Sequence, residues 1–258
     1  MSSWRRLSNG DRDKVVLAID FDSTVRPEAR FDRLAGLLEP AREVWLTAQP
    51  DAAEREPLPP EAYLTFWGDR PAGRVDTVMG YCVGCVFAPA LADVIALDQG
   101  ERPALLLVDP EPVVTASLHR DFEKAVGGMT VLTETERATA VAEARTLCLT
   151  AGDDFAAAAA GVVKLYATTA GAAFERLGVD EETSEDLLGL FRSYVSYLSA
   201  GFALEPERGW ASAVALTSSL SSPGARYAAS AQRFPIGSED MLSDRRVADA
   251  VRLFLEKR

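Results

Sequence analysis

The pentapeptide Gly80-Tyr81-Cys82-Val83-Gly84 constrains the fold of this chain more than any other feature of its sequence. The apolar run before it, 75–79, is typical of a buried strand, and the segment from about 83 to 96 is typical of a helix. A Gly-x-nucleophile-x-Gly turn between a strand and a helix predicts a nucleophile elbow, whose central residue occupies a strained turn that needs small neighbours. The alternative is a buried structural cysteine beside two incidental glycines.

The rest of the chain predicts an α/β fold around this turn. Short apolar runs predict further strands at Val15–Ile19, Glu43–Thr47, Ala104–Val108 and Ala213–Thr217, with a last one near Arg233–Ile236. Amphipathic segments predict helices at Arg30–Leu38 and Asp244–Glu256. This alternation indicates a mostly parallel sheet with helices on both faces, and the elbow makes it an α/β-hydrolase fold.

The segment 130–210 differs from the rest, because it is rich in alanine and helical in pattern, with no convincing strand. We predict a core formed by residues 1–129 and 211–258, and an inserted helical lid formed by 130–210. The alternative is that these helices are ordinary crossover helices packed on the sheet.

Composition narrows the range of partners and compartments. The formal net charge of −12 disfavours nucleic acid and anionic membranes as partners. Three cysteines provide neither a disulfide framework nor a zinc site, although Cys82 and Cys85 form a C-x-x-C pair typical of redox sites. We find no apolar run long enough for a membrane helix and no signal peptide, and therefore expect a cytoplasmic protein with reduced thiols.

Several segments resemble one family. The elbow and the helix after it, with Ala88, Leu91 and Ala92, look like those of type II thioesterases and of thioesterase domains from polyketide and nonribosomal peptide pathways. The segments Phe31–Ala35, Leu106–Asp109 and Ser238–Leu242 resemble the helix after the family's oxyanion loop, the strand that ends in its catalytic aspartate, and the segment that holds its catalytic histidine. The likeness covers most of the chain except the predicted lid.

The resemblance implies an enzyme acting on an acyl thioester carried on phosphopantetheine, with an acyl or peptidyl carrier protein as partner and no metal or other cofactor. It implies that Cys82 is the nucleophile and Asp109 the orienting acid, although Asp109 could instead cap a turn before Pro110. The oxyanion donors would be the N–H of Val83 and the loop that contains Thr24.

The family's histidine is missing, because Ser238 occupies the position that matches it. The single histidine, His119, lies in a segment that normally leaves the site, and we expect that it is not the base. Glu239 and Asp240 are the nearest candidate substitutes. Cysteine tolerates this loss better than serine, because a thiol at a helix N-terminus is readily ionised.

Thiol–thioester exchange therefore remains possible, whereas water would lack an obvious base for hydrolysis of the acyl-enzyme. This favours release by cyclisation narrowly over hydrolysis, as in the Dieckmann cyclases that the pattern resembles, although those cyclases also keep the histidine. A second hypothesis is a pseudo-thioesterase that binds an acyl chain or a carrier protein without turnover.

A different enzyme class matches another segment. Asp20-Phe21-Asp22-Ser23-Thr24 after the first predicted strand resembles the first motif of haloacid-dehalogenase-like phosphatases. In that family Asp20 would be the nucleophile and Asp22 the general acid, with magnesium. This hypothesis leaves the elbow unexplained, and the two aspartates could instead cap the strand and its loop.

Overall fold

The computed structural model describes residues 2–21, 30–38, 40, 42–50, 57–220 and 222–258. In this part of the chain the strands, numbered β1 to β7, are Trp4–Ser8, Asp11–Ile19, Arg42–Thr47, Val75–Tyr81, Ala104–Val108, Val214–Thr217 and Ser230–Arg233. The helices, numbered α1 to α9, are Phe31–Leu37, Pro60–Gly68, Gly84–Gln99, Thr115–Gly127, Glu134–Ala151, Phe155–Leu177, Glu181–Phe202, Glu207–Trp210 and Arg245–Leu255. The chain divides into two compact units, an α/β unit and a helical unit.

The α/β unit comprises the described residues up to Pro50, together with Pro60–Pro112 and Leu204–Arg258. Its strands form one sheet in the order β1-β3-β2-β4-β5-β6-β7. The edge strand β1 is antiparallel to β3, and the other neighbouring pairs are parallel. The carboxyl ends of β4, β5 and β6 therefore meet at one edge of the sheet, where the loops after them can form a site.

Both faces of the central strands are covered. In β2 the side chains from Val15 to Ile19 are completely buried, which explains why this part of the strand is a continuous apolar run rather than an alternating one. One face packs against α1 and α9 in a core that includes Val16 and Ala18. Helix α3 contacts β2, β4 and β5.

Helix α3 contains a proline whose missing amide is compensated by a tryptophan. Pro89 lies inside the helix and has no N–H, so the carbonyl of Cys85 lacks its usual partner four residues on. The indole Nε1 of Trp210 donates to that carbonyl over 2.8 Å, and both groups are buried. A side chain at the adjacent Gly209 would collide with the Pro89 ring, so α8 packs closely on α3 at this point.

The helical unit comprises Val113–Ala203 together with the described residues 57–59, and α4 to α7 lie in it. The side chains of Thr133, Asp154 and Asp180 cap the starts of α5, α6 and α7. Inside the unit the rings of Tyr166 and Phe191 stack with their centroids 3.7 Å apart. The predicted lid, 130–210, overlaps most of this unit, and its role as a lid stays a prediction.

The predicted strands and helices of the α/β unit are largely confirmed, with four differences. Strand β1 and helix α2 were not predicted. Strand β2 begins at Asp11, four residues before its predicted start, and β7 spans Ser230–Arg233, three residues before its predicted position. Helix α6 is, among the described helices, long and apolar enough by composition to cross a membrane, where none was expected. The same test is passed by core helices of soluble proteins, and α6 packs against α4, α5 and α7.

Candidate active site

Cys82 lies on a sharp turn between a strand and a helix. Strand β4 ends at Tyr81, Cys82 has a φ of +50°, and α3 begins at Gly84. The Cys82 N–H donates to the carbonyl of Val108 over 2.9 Å, and the Cys82 carbonyl accepts from the N–H of Cys85 over 3.1 Å. These bonds hold a non-glycine residue in the left-handed region, which costs about 1–3 kcal/mol and is found mostly at functional sites.

The two glycines of the motif are required by close backbone packing. A Cβ built on Gly80 would lie 2.6 Å from both the Cα and the N of Cys85. A Cβ on Gly84 would collide with the carbonyl oxygen of Ile19, at the end of β2. Because backbone atoms oppose both positions, neither collision could be relieved by rotating a side chain. The glycines are therefore not incidental, and the predicted elbow geometry is present.

Asp109 lies beside Cys82 at the end of the neighbouring strand. Tyr81 pairs with Val108 in the sheet, so Cys82 and Asp109 are the next residues of β4 and β5. Asp109 has a φ of +47°, and among the described non-glycine residues only Asp109 and Cys82 have a positive φ. Strained residues are found mostly at functional sites, so two of them at the ends of neighbouring strands indicate a functional site at this edge of the sheet.

The carboxylate of Asp109 is only half satisfied. Its side chain is buried, and Oδ1 accepts from the N–H of Ser218, just beyond β6, over 2.7 Å. Within the described part of the chain, its other oxygen, Oδ2, is buried without a hydrogen-bond partner. In a catalytic triad this second position is where an imidazole N–H would donate.

A glutamate that was not predicted from the sequence contacts the Cys82 thiol. Glu111 is half-buried, and its Oε2 accepts from the Sγ of Cys82 over 3.7 Å. Glu111 follows β5 by three residues, and a carboxylate just past a strand end looks like any surface carboxylate in a sequence. Only the fold of the loop brings it to the elbow.

The second cysteine of the C-x-x-C pair has a different environment. Cys85 is completely buried, and its Sγ donates to the carbonyl of Val108 over 3.5 Å. Burial raises the pKa of the Cys85 thiol well above its usual value, and the nearby groups of Cys82, Asp109 and Asp20 raise it further. Cys85 therefore stays protonated, in contrast to a redox pair that needs a reactive thiolate.

The predicted histidine position is occupied by a short polar turn. Ser238 is half-buried, and its carbonyl accepts from the hydroxyl of Tyr81 over 3.0 Å. The Ser238 Oγ is also 3.2 Å from that hydroxyl. Glu239 and Asp240 follow in the same turn, and both are exposed. Their proposed role as substitutes for a histidine stays a prediction.

The remaining predicted site residues have distinct locations. Val83 caps α3 with a helical φ of −60°, which places its N–H in the first turn, where amides lack intrahelical acceptors. Thr24 lies outside the described residues. His119 lies on α4 in the helical unit, and its buried Nε2 has no hydrogen-bond partner among the residues that the structure describes. The roles of these residues stay predictions.

The residues of the phosphatase hypothesis are only partly visible. Asp20 follows β2 and is buried, and its backbone bonds to the Thr47 hydroxyl and to the amide of Gln49. Asp22 lies outside the described residues. Among the described residues, no cluster of His, Cys, Asp or Glu is arranged to hold a metal ion.

Solved structures of other proteins identify the fold of this chain. No protein-family model and no curated protein matches the sequence. The Vlm2 thioesterase domain with a bound dodecadepsipeptide is 18% identical, with a TM-score of 0.53, and the match covers 100% of this chain and 99% of that one. The NocB thioesterase domain from the nocardicin cluster is 15% identical, with a TM-score of 0.57, and the match covers 99% and 100%.

A third similar structure is the meta-cleavage product hydrolase CumD from Pseudomonas fluorescens IP01, in a mutant form complexed with acetates. It is 12% identical, with a TM-score of 0.52, and the match covers 98% of this chain and 93% of that one. At such identities the likeness concerns the fold. The chain has the α/β-hydrolase fold, as its elbow predicted, and thioesterase domains are among its structural neighbours.

Proposed function

We propose that this protein is an acyl-thioester off-loading enzyme of a polyketide or nonribosomal peptide pathway. The observation that carries the proposal is the elbow, which holds Cys82 in a left-handed turn at the start of α3 with close packing at both flanking glycines. Cys82 is the acyl acceptor, and this residue is partly exposed. The fold shared with the Vlm2 and NocB thioesterase domains supports the same substrate class.

The reaction has two steps. The Cys82 sulfur attacks the carbonyl of a thioester, and the carrier's pantetheine thiol leaves with a proton. The acyl chain is then released. Ring closure by a nucleophile in the acyl chain itself is narrowly preferred over hydrolysis as the release route. This preference follows from the α/β unit's lack of any histidine, because water needs a strong base to attack an acyl-enzyme and an acidic carbon within the chain needs less help.

Intact-mass measurement tests the proposal. The full chain is incubated with a β-ketoacyl-aminoacyl pantetheine thioester, which contains both the thioester and a carbon nucleophile. We expect an acyl adduct that maps to Cys82, is absent from Cys82→Ala and persists in Cys148→Ala. A cyclic product would support ring-forming release, and free acid would indicate hydrolysis. An absence of adduct on Cys82 would contradict the proposal and favour the pseudo-thioesterase.

A further inference from the structure

Glu111 is held in place by the loop that precedes it. The carbonyl of Pro110 accepts from the N–H of Gly224 over 3.0 Å and from the hydroxyl of Ser222 over 2.9 Å. A Cβ on Gly224 would lie 2.5 Å from that same carbonyl oxygen, so the two segments are packed without spare room. The residue before Glu111 is therefore fixed to the chain after β6, which limits where the backbone of Glu111 can lie.

From this contact we infer that Glu111 is the proton acceptor and donor for Cys82, in place of the family's histidine. The inference rests on the proposed function. A general base must lie within hydrogen-bond reach of the proton that it removes, and the carboxylate of Glu111 accepts from the Cys82 thiol. Ser238, at the position of the family's histidine, instead contacts the hydroxyl of Tyr81 through its carbonyl and its Oγ.

The proton balance of acyl transfer closes through this one carboxylate. As the Cys82 sulfur forms its bond to the thioester carbon, Glu111 takes the S–H proton. When the tetrahedral intermediate collapses and the carbon–sulfur bond to pantetheine breaks, Glu111 gives that proton to the leaving sulfur. The products are the acyl-Cys82 thioester, free pantetheine thiol and the Glu111 carboxylate in its starting state.

Release uses the same carboxylate in the same order. Glu111 takes a proton from the incoming nucleophile, either water or an acidic carbon of the acyl chain. It returns that proton to the Cys82 sulfur as the acyl–sulfur bond breaks. A carboxylic acid and a thiol differ by about four pKa units, so proton transfer must accompany bond formation rather than precede it. A serine hydroxyl is a much weaker acid, which makes a carboxylate base compatible with cysteine at this elbow.

Two measurements on the full chain test the inference, with Glu111→Gln as the isosteric variant. The rate of alkylation by iodoacetamide, followed between about pH 6 and 10, depends only on the fraction of Cys82 that is present as thiolate. Acylation by octanoyl-pantetheine requires the proton transfer as well. Because a carboxylate disfavours a nearby thiolate, Glu111→Gln should shift the alkylation midpoint to lower pH. Acylation should instead slow by about 10²-fold or more.

Three further variants are the controls. Glu61→Gln removes an exposed carboxylate from the first turn of α2 and should match the wild type in both assays. Asp109→Asn reports the other carboxylate beside the elbow, whose charge also acts on Cys85. Glu111→Asp keeps the charge on a shorter side chain and should retain part of the acylation rate.

The outcomes separate the inference from the proposed function. Wild-type acylation in Glu111→Gln, or an unchanged alkylation midpoint, would overturn the role of Glu111. A comparable loss in His119→Ala with none in Glu111→Gln would assign the proton to the histidine instead. If the wild type is alkylated at Cys82 but never acylated, the proposed function itself fails. A melting temperature of Glu111→Gln equal to that of the wild type ensures that a loss is not unfolding.

Discussion

Replacing Gly80 by alanine tests the packing on which the elbow depends. The new Cβ would lie 2.6 Å from the Cα and N of Cys85, whereas ordinary van der Waals contact begins at 3.4 Å. Strand β4 and the first turn of α3 must therefore separate by about 0.8 Å, the difference between these two distances. Gly80 does not have a positive φ, so alanine can adopt its backbone conformation, and the effect of the substitution comes from the steric collision alone.

Overpacking against backbone costs about 1–3 kcal/mol of the free energy of unfolding. In a chain of this size that corresponds to a melting temperature lower by about 2–12 °C. The displacement also moves Cys82 relative to its neighbours, and an error of about 1 Å in a reacting group can cost about 10²-fold in rate. We expect both effects in Gly80→Ala, measured by thermal denaturation and by acylation of Cys82.

Gly36→Ala is the matched control in the same unit. Gly36 lies in α1, and nothing lies within 4 Å of a Cβ at that position. Alanine there should leave the stability unchanged or raise it by up to about 1 kcal/mol, because glycine is a poor helix former. If Gly80→Ala melts and reacts like the wild type, the close approach of β4 and α3 is wrong and the elbow argument loses its basis.

Other regions give three further predictions. Iodoacetamide should label Cys82 alone in the native protein at neutral pH, because Cys85 and Cys148 are buried and burial raises the pKa of both thiols. Mass spectrometry maps the label, and labelling of Cys85 would contradict its protonated state. Trp210→Phe should lower the free energy of unfolding in a denaturant titration by about 1–3 kcal/mol, because the Cys85 carbonyl loses its hydrogen-bond donor. An unchanged denaturation midpoint would show that this hydrogen bond does not stabilise the fold. The Arg176 guanidinium holds the pKa of Glu136 far below its usual value, so this pair stabilises the fold above about pH 4.5, and the stabilisation is lost as the pH falls through the lowered pKa. The difference in melting temperature between the wild type and Glu136→Gln should therefore shrink on acidification. A difference that stays constant would contradict the role of this pair.

The features that could be predicted from the sequence are those that depend on residues close together in the chain. The elbow could be recognised because two glycines and a strand–helix boundary lie within a few residues. Strand β1 was missed because it is an antiparallel edge strand with polar residues, in which Trp4 alone is fully buried. Helix α2 was missed because it follows a proline-rich loop, and its buried Tyr63 and Trp67 show their pattern only when packed near α3.

The site itself divides in the same way. Cys82 and Asp109 could be proposed because each follows a recognisable apolar strand. The approach of Glu111 to the thiol could not, because it depends on the left-handed turn at Asp109 and on the hydrogen bonds that Ser222 and Gly224 donate to the Pro110 carbonyl. Those contacts join segments more than a hundred residues apart, and no local pattern records them.

Asp109 without a histidine calls for a different explanation of its presence, and a pair of substitutions separates the possibilities. Its backbone makes the turn that leads to Glu111, and its Oδ1 holds the N–H of Ser218. Asparagine tolerates a left-handed φ and keeps the acceptor for Ser218, whereas alanine does neither. If Asp109 acts by positioning Glu111, acylation of Cys82 should stay within about tenfold of the wild type in Asp109→Asn and fall much further in Asp109→Ala, since a misplaced base costs about 10²-fold. If its charge instead takes part in the reaction, as that of the aspartate in a serine triad does, Asp109→Asn should itself lose about 10⁴-fold. That larger loss would refute the positioning role.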